Sequence, residues 1–298
     1  RIGCALSVPC ALGGSRRAGA IAVIAFFGFS SLASIPYLQA NFSGGPGAIL
    51  SKPQVAVSWL VYEKGFPVVN VFVLFLLYQR SVPVGIAIVA AAFLLLLDTG
   101  KSKRDAVLAG ILLGLATPFH ALIAIPAIIL AIGFLLLRGE RKAAIGFAIP
   151  AAIMALVSMM LFFAQKTTAV GSVAHYNWGW MALDKSILGV AVFWAANLLF
   201  FAAPIIAGWN KIGLRGKALV AAAIPLLLII NFVAFTPNPW DASKFLLPAI
   251  MVFSIVSGGF LAEKLSGRAL PRVIVVLFIL LAISFSLLVF KTLTDHHE

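Results

Sequence analysis

Four side chains of this sequence have the chemistry needed for proton transfer or for binding a phosphate group. His120 follows Pro118 at a break in a long apolar stretch, where its imidazole could act as a general base or donate a hydrogen bond to an anion. Asp241 could accept a proton or order a sugar, and Lys244 could neutralise a phosphate. Arg80 offers a planar guanidinium group that clamps phosphate. We therefore treat His120 and Asp241 as candidate catalytic residues and the two cations as candidate substrate-binding residues.

Aromatic and amide side chains close to these residues extend the candidate substrate-binding set. Trp178, Trp180 and Trp240 carry rings of the kind that stack on sugar faces, and Gln79 directly precedes Arg80. Tryptophan also gathers at membrane interfaces, because its ring is apolar at one end and polar at the other. Both interpretations of these rings stay open at the level of sequence.

The ionisable candidates also have simpler structural interpretations. Asp241 stands where it could cap the N-terminus of a following helix, since aspartate accepts hydrogen bonds from the first amides of a helix. His120 could be an interfacial or helix-capping residue, and Arg80 could extend to a lipid headgroup. A functional site and these structural roles are not exclusive, so both are kept as hypotheses.

The composition of the chain requires a bilayer as its surroundings. Of the 298 residues, 62% are apolar and 10% are charged, whereas soluble domains are about 45–50% apolar and about 25% charged. So few charged groups could not cover the surface of a soluble globule. The two cysteines, Cys4 and Cys10, form neither a disulfide framework nor a zinc motif. We predict a single integral membrane domain over residues 1–298.

Long apolar runs predict an all-α polytopic bundle of about eight to ten membrane spans. About 20 apolar residues in a helix cross the roughly 30 Å hydrocarbon core. Residues 106–117 and 121–137 have basic clusters at their far ends, which predicts a helical hairpin with its tip at residues 118–120. The other predicted spans, apart from an ambiguous region at 68–97, are 18–37, 143–163, 186–209, 218–235, 245–262 and 273–290.

The positive charge of the chain predicts its orientation. The formal net charge is +13, and basic residues of membrane proteins collect in cytoplasmic loops. From residue 80 onward, twelve Lys or Arg fall in the loops predicted as cytoplasmic and five fall elsewhere. This distribution explains the charge without nucleic acid, which we do not expect as a partner. Arg16 and Arg17 fit only if residues 38–80 hold an even number of complete crossings.

The predicted topology brings four polar clusters to the outer side of the membrane. They comprise residues 79–80, 118–120, 175–180 and 237–244. Ionisable groups near a bilayer are costly unless they face water or one another. Their convergence therefore predicts a hydrated cavity on that side.

Several short segments resemble, in the same order, the later part of the GT-C glycosyltransferases, the mannosyltransferase-like membrane enzymes of bacteria and archaea. The segments are residues 77–85, 114–121, 179–181, 193–197 and 239–245. The resemblance implies transfer of a sugar from a polyprenyl-phosphate donor to an acceptor on the outer side of a prokaryotic plasma membrane. It implies that His120, Asp241, Lys244 and Arg80 line a cavity for the lipid phosphate and the sugar. A divalent metal ion could assist the departing phosphate, and membrane lipids would be the other partners.

The resemblance is incomplete at two positions. The family places an acidic catalytic residue in its first large outer loop, where this chain has only Glu63, and Ala242 stands where the family has Asn. A fragment that lacks N-terminal spans would explain both departures. A transporter or flippase and a non-catalytic assembly subunit are the alternative functions. A transporter would carry an internal repeat with matching broken helices, and the sequence contains no such repeat.

Overall fold

The computed structural model describes residues 15–28, 81–98, 103–163, 175–179, 182–235 and 241–294. These residues form eight α-helices, a 3₁₀ helix and one pair of two-residue strands. The helices are α1 (Arg16–Gly28), α2 (Ser81–Asp98), α3 (Lys103–Leu137), α4 (Arg141–Phe163), α5 (Ile187–Gly208), α6 (Leu214–Phe232), α7 (Leu247–Leu265) and α8 (Ala269–Thr294). The 3₁₀ helix covers Asp241–Leu246, and strands β1 (His175–Tyr176) and β2 (Val233–Ala234) pair antiparallel. The predicted all-α fold is confirmed.

Helix α3 is a hairpin of two helices joined at His120. Its 35 residues would extend about 52 Å if straight, far more than the roughly 30 Å hydrocarbon core. His120 interrupts the helix with φ −162° and ψ 86°. A Cβ on Gly110 would contact the carbonyl of Phe147, and one on Gly114 would contact that of Ala151. The first half of α3 and α4 therefore run in the same direction.

The second half of α3 runs back across the bundle. A short turn at residues 138–140 connects it to α4, so α4 begins close to where α3 ends. Because α4 is parallel to the first half of α3, the segment between them must be antiparallel to both. Each half contains about 17 residues and spans roughly 25 Å. The predicted hairpin with its tip at residues 118–120 is confirmed.

The described helices have the length and the surface of membrane spans. Five segments are long and apolar enough to cross a bilayer: α3, α4, α5, α6 and residues Ala242–Leu265, which include α7. In α4 the exposed apolar side chains recur every three or four residues and form one stripe, at Ile145, Ile149, Ile153, Leu156 and Met160. Such a stripe suits contact with lipid tails. The chain is an integral membrane protein with a polytopic helical bundle.

Helix α7 lies at the centre of the bundle, and small residues allow its neighbours to approach it. In the apolar segment Ala242–Leu265, which includes α7, 83% of the most hydrophobic stretch is buried inside the bundle. The corresponding share in α4 is 22%. A Cβ on Gly258 would lie 2.7 Å from the backbone nitrogen of Ala22, so α1 and α7 pack backbone to backbone. The Ser257 hydroxyl donates to the Phe201 carbonyl at 3.0 Å and ties α7 to α5. Close packing of this kind replaces the hydrophobic driving force that is weak between helices in lipid.

One end of the bundle, which we name the basic face, collects most of the cationic side chains. Arg17 at the start of α1 donates to Ser266 after α7 at 3.4 Å. Arg215 at the start of α6 donates to the carbonyl of Leu97 near the end of α2, also at 3.4 Å. The cations of this face are Arg16, Arg17, Lys103, Arg104, Arg138, Arg141, Lys142, Lys211, Arg215, Lys217, Lys264, Arg268 and Arg272. Arg16 and Arg17 thus share one side with the later basic loops.

Candidate functional site

The hairpin tip and the start of α2 meet at the other end of the bundle, which we name the tip face. A Cβ on Gly85 would lie 3.5 Å from the Cβ of His120 and 3.6 Å from Cδ1 of Ile123. Glycine at position 85 therefore lets α2 approach the tip closely. His120 is half-buried there. Ile123 also lines a narrow apolar crevice with Phe26 of α1 and Leu247 of α7, so four helices converge beneath His120.

The 3₁₀ helix brings Lys244 to the tip face. This helix packs against α3, α6 and α7. The rings of Phe245 and Phe235 stack at 4.8 Å with an angle of 19° between their planes, which holds the 3₁₀ helix against the end of α6. Lys244 is only 4% exposed. Burial of an ammonium group is costly unless polar or charged groups surround it, so this position marks a polar environment inside an otherwise apolar bundle.

Two buried hydroxyl groups stand beside the predicted catalytic and phosphate-binding residues in sequence. Thr117 precedes the hairpin tip and is 3% exposed, and Ser243 precedes Lys244 and is 2% exposed. Neither hydroxyl has a hydrogen-bond partner within the described part of the chain. A buried polar group without a partner costs about 1–3 kcal/mol. Sequence analysis did not single out Thr117 or Ser243, and their adjacency to Pro118 and Lys244 was the only available signal.

Trp178 fastens the loop before α5 to the end of α6. Its indole nitrogen donates to the carbonyl of Lys185 at 2.7 Å, and its ring packs on Phe232 with 5.3 Å between ring centres. Gly179, with φ 75°, makes the turn, and its amide donates to the carbonyl of Asn231 at 2.9 Å. Partial burial lowers the pKa of the Lys185 ammonium. The indole nitrogen of Trp178 thus has its acceptor within the protein. Sugar binding by the Trp178 ring stays a prediction.

Two buried asparagines lie within the spans, and sequence analysis did not single them out as site residues; one of them, Asn231, makes a polar contact between α5 and α6. The Trp194 indole donates to Oδ1 of Asn231 at 2.9 Å, and the amide of Asn231 donates to the carbonyl of Leu227. Asn197 donates to the carbonyl of Phe193 at 2.9 Å, and its Oδ1 has no partner among the described residues. Asn197 belongs to the segment 193–197 on which the family resemblance partly rests. These contacts give Trp194 and Asn231 a packing role.

A hydrogen-bonded cap begins α5 at the same face. The amide and hydroxyl of Ser186 both donate to the carboxylate of Asp184 at 2.8 Å, and these hydrogen bonds hold the pKa of Asp184 below its ordinary value. The Ser186 oxygen accepts from the amide of Gly189 at 3.0 Å. Ser186 is therefore the N-cap of α5, and the ionised carboxylate of Asp184 orients its hydroxyl.

Protonation of Asp184 is expected to weaken this cap. Because the pKa is lower in the folded state, the ionised carboxylate stabilises the fold above its unfolded pKa, and that contribution is lost as the pH falls through the folded pKa. We expect wild type to melt at a higher temperature than Asp184→Asn at about pH 7 and the difference to shrink towards about pH 3. Thermal melting in detergent measures both. A difference that stays constant with pH would contradict the role of the carboxylate.

Several predicted site residues lie outside the described residues, namely Gln79, Arg80, Trp180 and Trp240. Asp241 begins the 3₁₀ helix, so its backbone is at the tip face beside Lys244. The roles predicted for all five stay predictions. No group of three His, Cys, Asp or Glu side chains that could hold a metal ion occurs within the described ranges, and we derive no step through a metal ion.

No protein-family model, curated protein or solved structure matches this chain. The class of the protein follows from its own features. It is a polytopic α-helical integral membrane protein with a basic face at one end of the bundle. A half-buried histidine and a buried lysine lie at the other end, where the start of α2, the hairpin tip and the 3₁₀ helix meet.

Proposed function

We propose that this chain is a GT-C-like glycosyltransferase that moves a sugar from a polyprenyl-phosphate donor to an acceptor at the tip face, in a prokaryotic plasma membrane. The observation that carries the proposal is the burial of Lys244 at the tip face, with two buried hydroxyl groups next to it and to the hairpin tip in sequence. The negative charge of a phosphate group suits the ammonium group of Lys244. The hydroxyl groups of a sugar suit hydrogen bonding with the two buried hydroxyl groups. The lipid tail of the donor would remain in the bilayer beside the bundle.

The proposed reaction assigns a task to five polar residues at the tip face. A hydroxyl of the acceptor attacks the anomeric carbon of the sugar as the bond from that carbon to the phosphate oxygen breaks. The acceptor proton passes to the carboxylate of Asp241, and the polyprenyl phosphate leaves with the electron pair of the broken bond. Lys244 stabilises the charge that develops on the phosphate, and His120 donates a hydrogen bond to it. Thr117 and Ser243 provide hydroxyl groups for the sugar or the phosphate.

The positions of the polar groups favour this proposal over a transporter. Transporters bind their substrates near the membrane midplane, where paired helices are broken. The break in α3 lies at the hairpin tip, and Lys244 lies at the same end of the bundle as that tip. A site at one membrane surface suits an enzyme whose donor headgroup stays at that surface.

A transfer assay with purified protein tests the proposal. Radiolabelled sugar is supplied on a polyprenyl phosphate, and wild type is compared with His120→Ala and with the matched variant His175→Ala, whose side chain is exposed in β1. We expect transfer by wild type and by His175→Ala, and a loss of about 100-fold in His120→Ala. Absence of transfer from a panel of donors by a folded full-length protein, or equal rates in all three proteins, would refute the proposal.

A further inference from the structure

A cavity on the basic face combines cationic and apolar side chains. It has a volume of about 520 Å³ and lies between the end of α3, the turn after α5 and the start of α6. Arg138, Arg215 and Lys217 supply its positive charge, and Glu140 is the acidic residue of its lining. Trp209 and Leu214 supply apolar walls. The lining thus has an excess of positive charge beside a hydrophobic surface.

The cations of this cavity retain hydrogen-bonding capacity for an anion. Arg138 pairs with Glu140 through Nη2 at 2.7 Å, while its Nη1 is buried and has no partner within the described ranges. Arg215 makes a long hydrogen bond, 3.4 Å, to the carbonyl of Leu97. A buried donor without an acceptor is costly, and guanidinium groups bind phosphate oxygens through several N–H groups at once. Arg215 and Lys217 line the cavity and would contact an anion there, and Arg138 adds its positive charge to the lining.

The apolar part of the cavity indicates an anion that carries hydrocarbon. Leu214 is 86% exposed and Leu137 is 57% exposed, although both stand beside cations at the end of membrane-spanning helices. Trp209 is 41% exposed, and its ring lies 5.4 Å from the ammonium of Lys217. A freely soluble anion would make no use of these side chains. The headgroup region of a bilayer places phosphate and acyl chains next to each other, as this lining requires.

We propose that this cavity binds the phosphate of an anionic phospholipid on the basic face. Arg138, Arg215 and Lys217 contact the phosphate, and the acyl chains lie along Leu137 and Leu214. Because the ligands come from the turn after α3 and from α6, the bound lipid joins the end of the hairpin to the start of α6. This site lies at the opposite end of the bundle from Lys244 and does not depend on the proposed transferase activity.

Thermal melting of the purified chain with added lipid tests this site. Phosphatidylglycerol or phosphatidylcholine is added to the detergent-solubilised protein, and the melting midpoint is followed against lipid concentration. We expect phosphatidylglycerol to raise the midpoint of wild type and phosphatidylcholine to have little effect. In Lys217→Gln, and more so in Arg138→Gln/Lys217→Gln, the phosphatidylglycerol concentration for half the shift should rise at least roughly tenfold, as expected for loss of a charge-assisted hydrogen bond.

A matched double variant separates this cavity from general attraction to the basic face. Arg141→Gln/Lys142→Gln removes the same charge from exposed positions at the start of α4, and it should keep the response of wild type. Equal weakening in both double variants would overturn the proposal, and so would an equal response to phosphatidylcholine. A shift of the same size with inorganic phosphate at the same phosphate concentration would show that the site takes a soluble anion and would overturn the lipid assignment. The Lys217→Gln variant, with its change on the surface of α6, keeps the test decisive if Arg138→Gln impairs folding.

Discussion

Replacement of Lys244 by Met is expected to reduce sugar transfer from a polyprenyl-phosphate donor by about two to three orders of magnitude. Methionine has a similar length and fills the buried position, but it brings no charge to the departing phosphate. The loss should therefore appear in the rate of transfer, while the folded state persists because an uncharged side chain is easier to bury than an ammonium group. The transfer assay measures the first effect, and thermal melting measures the second.

Lys185→Met is the matched control for this change. Lys185 also lies at the tip face, where it is exposed in the loop before α5. Its replacement removes the same charge from the same end of the protein without touching the 3₁₀ helix. We expect transfer close to that of wild type. Comparable rates for Lys244→Met and wild type, in protein that is shown to be folded, would contradict the role of Lys244 in phosphate binding.

Gly110→Ala is expected to destabilise the bundle by about 2–3 kcal/mol. A Cβ at this position would lie 2.3 Å from the carbonyl oxygen of Phe147 and 3.1 Å from its carbonyl carbon. Backbone atoms cannot rotate away as a side chain does, so α3 and α4 would have to separate. This cost exceeds the gain of up to about 1 kcal/mol that alanine brings to a helix in place of glycine. Unfolding in mixed detergent micelles of increasing denaturant content measures the change.

Gly146→Ala provides the control for Gly110→Ala from the facing helix. A Cβ on Gly146 would meet Val107 at 3.8 Å, which is an ordinary contact. Both variants gain the same helix propensity, so only the space at the interface differs. We expect Gly146→Ala to be as stable as wild type or more stable. Equal stability of the two variants would mean that the two helices do not pack as closely as Gly110 requires.

Features that depend on neighbouring residues were predictable from the sequence. Pro118 between two apolar runs, with basic clusters at their far ends, was sufficient to predict the hairpin of α3. The low charge and the long apolar runs were sufficient to predict the all-α membrane fold, since only a helix satisfies its own backbone in lipid. The topology predicted from the sequence also put His120 and residues 241–244 on one side of the membrane. In the described part of the chain, both lie at the tip face.

Features that depend on partners far along the chain were not predictable. Burial of Lys244 follows from stacking of Phe245 on Phe235 and from contact of the 3₁₀ helix with α3, and no local pattern of residues indicates either contact. Trp178 reaches Phe232, which is distant in sequence, so a ring predicted to bind sugar also serves to pack the loop against α6. Gly110 and Gly258 were not identified as packing positions, because the identity of the helix that approaches a glycine is not encoded next to it. Arg17 was ambiguous for a similar reason, since its contact with Ser266 joins opposite ends of the chain.

Labelling of single cysteines from one side of the membrane tests most directly whether the hairpin tip and the basic face lie at opposite surfaces. With Cys4 and Cys10 replaced by Ser, the variants Arg104→Cys, Phe119→Cys and Gly139→Cys each carry one thiol at an exposed position. A membrane-impermeant maleimide added to intact cells should label Phe119→Cys, and it should label the other two variants only after the membrane is opened. Labelling of positions 104 and 139 from opposite sides would mean that α3 crosses the membrane once, and it would contradict the hairpin and the site built on its tip.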